Sequence, residues 1–461
     1  MSTYQAMTPA VTDDLAIYPS AVAVEPPAPP KAESRFRSVR RQKGPQFYKP
    51  FHYLLLVYLF FYCSRIPEMV PWLHIGLVLQ PILLVGMFMT GMEKALFRTD
   101  IGRLMTAFTV WVAICVPFSV WKGGSFQTLQ LAVQALALLF FMAAFVRTLD
   151  DCYRVIVVAA LAMAAVGILS VTMGGGRMGD PRLGLGANKV DTLSDANFLA
   201  LYLVLGLPLL WFASSMKSGI MKFGLLFLMI PVLVGASRTG SRMGLLAMAI
   251  GVLFFFIHAT SSQRATLVMG GTLFLILAAF LLPQRITERF TTFFEPQSAA
   301  SVEAAQSAEA RKFMLIRSLE LTAEHPLFGV GPGEFMDAEA GEALAAGKRP
   351  SWHYTHNSFT ELSSETGLLG LALFLIPFYR CFRGLTPVRD RFPSLRVRRA
   401  AMFVQMTVLI AGVGAFFLSI AYSGILYVIM GLSCALQLAA MQEYRRLEAA
   451  EAALQGQEAL A

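Results

Sequence analysis

Apolar residues in this chain come in long unbroken runs rather than in helical stripes or strict alternation. Between charged breaks the runs fall at 51–64, 71–91, 103–120, 128–146, 155–173, 197–214, 220–236, 243–258, 267–283, 367–381, 400–418 and 424–441. A helix needs about 20 apolar residues to cross about 30 Å of hydrocarbon. A helix that is apolar all round is buried in protein or sits in lipid. The pattern therefore predicts an all-α, polytopic integral membrane protein with about 12 transmembrane helices. Residues 1–50 read as a disordered, basic tail, because residues 1–34 are polar and Pro-rich and cannot bury enough apolar surface to fold. Helices one to nine occupy 51–283. A polar loop with helical segments follows over 284–366, then helices ten to twelve over 367–441 and a C-terminal tail over 442–461.

Composition supports this reading. Of 461 residues 56% are hydrophobic and only 15% charged, against about 25% charged in a soluble domain. A soluble enzyme, a disordered scaffold and a disulfide-stapled secreted domain are excluded. The five cysteines are scattered without CxxC or metal-ligand spacing and read as packing residues. The first apolar run begins only near Phe51, so no cleavable signal peptide is expected.

The net charge of +9 raises the question of nucleic acid, but topology accounts for it. With the N-terminus in the cytoplasm and the spans alternating, 24 of the 38 Lys and Arg fall inside, including clusters of seven at 31–49 and at 380–399. The positive-inside rule then favours cytoplasmic N- and C-termini, with no nucleic acid as partner. The loops at 174–196, 237–242 and 284–366 then face outward, where ATP and nucleotide sugars are not available.

Several common sites are missing from the sequence. There is no Walker A string, no HExxH and no DxD, and charged residues in mid-span, the mark of an ion-coupled transporter, are nearly absent. Three outward clusters remain. The first is Arg182 to Asn188, followed by Asp195–Ala196–Asn197. The second is Ser237–Arg238–Thr239–Gly240 with Arg242. The third, in the long loop, holds Arg311 and Arg317, then Glu324–His325–Pro326–Leu327–Phe328–Gly329–Val330–Gly331–Pro332–Gly333, and ends in His353–Tyr354–Thr355–His356–Asn357–Ser358–Phe359 with Glu361 and Glu365.

Guanidinium binds phosphate bidentately and stays charged at any working pH. Several arginines on one face could clamp a diphosphate and stabilise it as a leaving group. A neutral histidine can take a proton from an acceptor hydroxyl, and Glu361 or Glu365 could orient it. This chemistry suits transfer from a lipid diphosphate to an alcohol. Competing readings remain open for each element. Arg182 and Arg238 could be interfacial anchors, the glycines at 329–333 read better as a tight turn than as a phosphate cradle, and His353 with His356 lacks a clear third metal ligand.

The order and wording of these clusters resemble the O-antigen ligase and O-antigen polymerase superfamily of bacterial membrane glycosyltransferases. The match is carried by His356–Asn357–Ser358–Phe359, Glu361 and Glu365–Thr366–Gly367–Leu368–Leu369–Gly370, preceded by His325–Pro326–Leu327–Phe328–Gly329–Val330–Gly331. Ser237–Arg238–Thr239–Gly240 is similar to the family's Ser-Arg turn. Arg182 with Asp195–Ala196–Asn197 is similar to its Arg…(D)PN segment, with Ala196 in place of proline. Arg65–Ile66–Pro67–Glu68 is also similar to family members.

The resemblance implies a glycosyltransferase of the bacterial inner membrane that works without metal or other cofactor. Its donor would be an undecaprenyl-diphosphate-linked glycan, its acceptor a glycan or lipid A-core, and its active site would face the periplasm. By carry-over His356 activates the acceptor hydroxyl and Arg182 and Arg238 bind the diphosphate, with Arg242, Arg311 and Arg317 as further candidates. A ligase and a polymerase of O-antigen or exopolysaccharide share these motifs. From a different class, a lipid-linked glycan flippase or exporter should line a central cavity with charges from many spans, whereas here they gather on one side.

Overall fold

The twelve apolar runs fall mainly on helices wherever the computed structural model describes them, the run at 220–236 on two; the described residues are 47–70, 74–177, 180–185, 192–281 and 299–458. The first 46 residues, Asn188 and the first part of the long polar loop lie outside the described residues. The helices are α1 (Lys49–Ser64), α2 (Ile66–Met69), α3 (Ile75–Met89), α4 (Asp100–Cys115), α5 (Lys122–Phe145), α6 (Leu149–Met173), α7 (Ala196–Ser215), α8 (Gly219–Phe227), α9 (Met229–Arg238), α10 (Arg242–His258), α11 (Ser261–Leu281), α12 (Ala299–Glu324), α13 (Phe335–Ala345), α14 (Ser358–Arg383), α15 (Thr386–Arg391), α16 (Leu395–Phe417) and α17 (Gly424–Glu458). A short antiparallel hairpin, β1 (Gly175–Arg177) with β2 (Asp180–Gly184), joins α6 to α7 and carries Arg182.

The protein is an all-α polytopic membrane fold. Among the described residues eight stretches are long and apolar enough to cross a membrane, with α8–α9 counting as one and α14–α15 as another. Helices α3 and α10 are apolar but only 15 and 17 residues long, short of the usual crossing length. Periodicity locates such a helix but does not say whether it spans.

Burial ranks the helices. In α7 and α17 83% of the apolar window is covered by protein, against 11% in α8–α9, so α7 and α17 are central and α8–α9 faces outward. Close packing follows from small residues, as it does between helices in lipid. Gly206 of α7 lies against Met163 of α6, and Gly244 of α10 lies against Ala200 of α7. All five cysteines are buried and none forms a disulfide.

A buried carboxylate ties the first helix to the sixth. Asp151 accepts from the Tyr48 hydroxyl at 2.9 Å and from Lys49 Nζ at 2.7 Å, and it completes a capping box with Thr148 at the start of α6. A buried charge without partners would be costly; here the two helix starts supply them.

Candidate functional site

The string Thr355–His356–Asn357–Ser358 forms the entry to α14, and three of its four side chains are spent on backbone. Asn357 is the N-cap; its Oδ1 accepts from the amides of Phe359 at 2.9 Å and Thr360 at 3.2 Å, the usual way orphan donors of a first turn are satisfied. Thr355 Oγ1 pairs with Ser419 Oγ at 2.8 Å, and Ser419 Oγ also accepts from the His356 amide at 3.1 Å. Ser358 Oγ donates to the Leu418 carbonyl and accepts from the Ile420 amide. These bonds anchor the string to the turn between α16 and α17.

His356 is held at φ 53°, in the left-handed region. Such a conformation costs about 1–3 kcal/mol and persists where the surroundings over-determine it. Its imidazole is half-buried and makes no hydrogen bond among the described residues. Burial pushes its pKa below the ordinary value, the Arg311 charge and His353 push the same way, and Asp195 opposes them. The shift favours the neutral ring.

The arginines come from three separate segments. Arg311 on α12 is half-buried, without a hydrogen bond or ion pair among the described residues. Burial pulls its pKa down; Asp195 raises it, while Arg182 and Arg242 lower it. One neighbourhood therefore holds Arg182 from β2, Arg242 from the first turn of α10, Arg311 from α12, Asp195 and His356. Arg238 ends α9 at the Thr239–Gly240 turn that leads to Arg242, and it too is half-buried with no hydrogen bond or ion pair among the described residues.

Three helices begin at this place. Asp195 caps α7 through bonds to the amides of Asn197 and Phe198, Ser241 caps α10 through Gly244, and Asn357 caps α14. Ser241 Oγ also donates to Asn197 Oδ1 at 2.8 Å and locks the starts of α7 and α10 together. Helix N-termini carry partial positive charge and favour anions. Three arginines, three helix starts and, among the described residues, Asp195 thus surround the His356 ring with groups that favour an anion.

Two candidates read from the sequence sit elsewhere in the network. Arg317 is occupied by Glu320 at 2.9 Å, Glu324 at 3.7 Å and Glu342, which ties α12 to α13. Glu361 is buried on the first turn of α14, and its Oε2 accepts from the Ala421 amide at 3.3 Å. No hydrogen bond joins Glu361 to His356. A carboxylate whose charge acts on His356 is Asp195, which the sequence places in the first outward cluster, just before an apolar run in the position of an N-cap, but does not mark as a partner of the histidine.

The glycine string at 325–333 is a docking turn. Helix α14 breaks at Gly367 (φ 70°, ψ −178°). The freed carbonyls of Ser364 and Glu365 accept from the amides of Val330 at 2.8 Å and Gly331 at 3.1 Å, and the Leu368 amide donates to the Pro326 carbonyl at 3.0 Å. The Glu365 carboxylate takes the Gly333 amide at 2.8 Å, and Phe328 stacks on Phe118 and Trp111. This clamp fixes the first two turns of α14, and so His356, against the rest of the loop.

A Cβ at Gly367 would run into the Leu327 carbonyl, in a backbone conformation that L-residues rarely adopt. Gly367→Ala is expected to destabilise by at least about 1–3 kcal/mol, seen as a lower thermal midpoint of the detergent-solubilised protein. Gly341→Ala, where the added carbon meets nothing, should leave the midpoint unchanged or raise it slightly.

Among the described residues no group of three or more His, Cys, Asp or Glu is placed to share a metal ion. Residues 225–375 match a protein family described as O-antigen ligase. The matched segment contains Arg238, Arg242, Arg311, His356 and the glycine clamp; Arg182 and Asp195 precede it. No curated protein matches the chain.

Proposed function

We propose, on the premise that residues 225–375 carry the O-antigen ligase family segment, that this membrane protein transfers a glycan from an undecaprenyl-diphosphate-linked donor to an acceptor hydroxyl. The observation that carries the reading is the meeting of Arg182, Arg242 and Arg311 around Asp195 and a neutral His356. The acceptor hydroxyl gives its proton to His356 while its oxygen attacks the anomeric carbon. The bond from that carbon to the diphosphate oxygen breaks, and the lipid diphosphate leaves with its charge matched by the arginines and the helix starts. Direct displacement inverts the anomeric carbon. Asp195 stabilises the imidazolium formed in the step and Arg311 destabilises it, which keeps the resting ring unprotonated. In this reading the termini are cytoplasmic, the site faces the periplasm of a bacterial inner membrane, and lipid A-core or a growing glycan is the acceptor.

A strain lacking the protein should accumulate lipid-diphosphate-linked glycan, and the length of that glycan on a gel separates the two acceptors. Full-length glycan left on the carrier is the ligase outcome, and single repeat units are the polymerase outcome. Unaltered surface glycan would contradict both.

A further inference from the structure

One cavity outside the arginine–histidine site has the chemistry of a binding site. It measures about 200 Å³, opens to the surface, and lies where α1 ends and α3 begins. Its walls combine Tyr58 and Tyr62 with Arg65, Glu68, Gln80 and Gln134. Arg65 takes the left-handed conformation at φ 55°, a cost met at functional positions. Its guanidinium pairs with Glu68 at 2.9 Å and lies 6.0 Å from the Tyr62 ring and 5.8 Å from the Tyr202 ring.

These contacts say what the cavity would accept. The Arg65–Glu68 pair offers donors and acceptors side by side with no net charge, which does not suit a phosphate. The glutamine amides add both functions, and the tyrosines add flat apolar faces. Alternating donors and acceptors around aromatic walls match a sugar ring, with hydroxyls at its rim and an apolar C–H face. The volume falls below the roughly 300–1,000 Å³ of drug-sized pockets and suits one ring. The cavity also sits at the same end of the helices as the candidate site. Tyr202, beneath Arg65, lies seven residues into α7 from the Asp195 cap, about 10 Å along the helix.

We propose that this cavity is a saccharide subsite that holds one uncharged sugar unit of the glycan handled at the arginine–histidine site; the choice of ligand class rests on the function proposed above. Gly76 provides the test, because it lines the cavity and a Cβ there meets nothing. Gly76→Phe should fill the space without disturbing the fold, as checked by an unchanged thermal midpoint.

The probes are free N-acetylglucosamine, galactose and rhamnose at millimolar concentration, with inorganic phosphate as the anion control, read by saturation-transfer NMR on the detergent-solubilised chain. At least one sugar should show transfer to the wild type and to Gly341→Ala, where the added carbon meets nothing, and lose it in Gly76→Phe. Absence of sugar binding, an unchanged signal in Gly76→Phe, or competition by phosphate would overturn the proposal. In a transfer assay Gly76→Phe should raise KM several-fold, for the acceptor if the ring belongs to it and for the lipid-linked donor otherwise. Wild-type transfer together with failed sugar binding would remove the subsite and leave the proposed function standing. Sugar binding lost in Gly76→Phe without any wild-type transfer would do the reverse.

Discussion

His356→Asn lowers glycan transfer by about two to four orders of magnitude, the usual worth of a positioned general base, while the thermal midpoint stays near that of the wild type. Asparagine is the better variant because it tolerates the left-handed backbone at this position, whereas alanine adds strain to the loss of the base. The wild-type pH profile should carry an acid limb set by His356. The ring must be neutral to accept a proton, so activity is present above its pKa and lost as pH falls through it. Burial and Arg311 place that pKa below the ordinary histidine value, so the limb lies below about pH 6.5. A limb above that value, or full activity in His356→Asn, would remove this residue as the base.

The second large effect concerns the arginines. Arg238→Lys and Arg311→Lys each keep the charge but lose the planar fork that grips two phosphate oxygens. If the arginines stabilise a leaving diphosphate, each should cost about 10²-fold or more in turnover, on the scale of losing one preorganised donor. Arg311→Gln adds an independent readout. Removing a positive charge that depresses the His356 pKa should move the acid limb to higher pH, whereas a purely structural role would leave the limb in place. Arg317→Gln should affect stability more than turnover, because that side chain joins α12 to α13 through Glu320, Glu324 and Glu342.

The helices are legible because lipid and a protein interior both demand unbroken apolar runs, and each run falls mainly on helix where its residues are described. Their crossing was less legible, since α3 and α10 are short and neighbours rather than composition decide how they sit. The start of α14 also escaped the pattern. Glu361 and Glu365 break the apolar run, yet the helix begins at Ser358, because Ala421, Gly333 and Phe335 supply amides to those buried carboxylates.

Arg311 and Arg317 could not be separated by spacing alone. Six residues turn a helix by about 240°, so the two point to different neighbours, one toward Asp195 and His356 and the other toward carboxylates of α12 and α13. The sequence offers Glu361 or Glu365 as a group to orient His356, because both follow it in the same string. Asp195, 161 positions away, is the carboxylate that the fold brings to bear.

The most direct measurement uses the purified protein in liposomes with a synthetic undecaprenyl-diphosphate-linked glycan and its acceptor, in the presence of a chelator and without nucleotide. Glycan joined to the acceptor and free undecaprenyl diphosphate should appear in equal amounts, and both should vanish in His356→Asn. Movement of the intact donor across the bilayer with its glycosyl–phosphate bond unbroken would contradict the account, because it would make the arginine cluster part of a transporter.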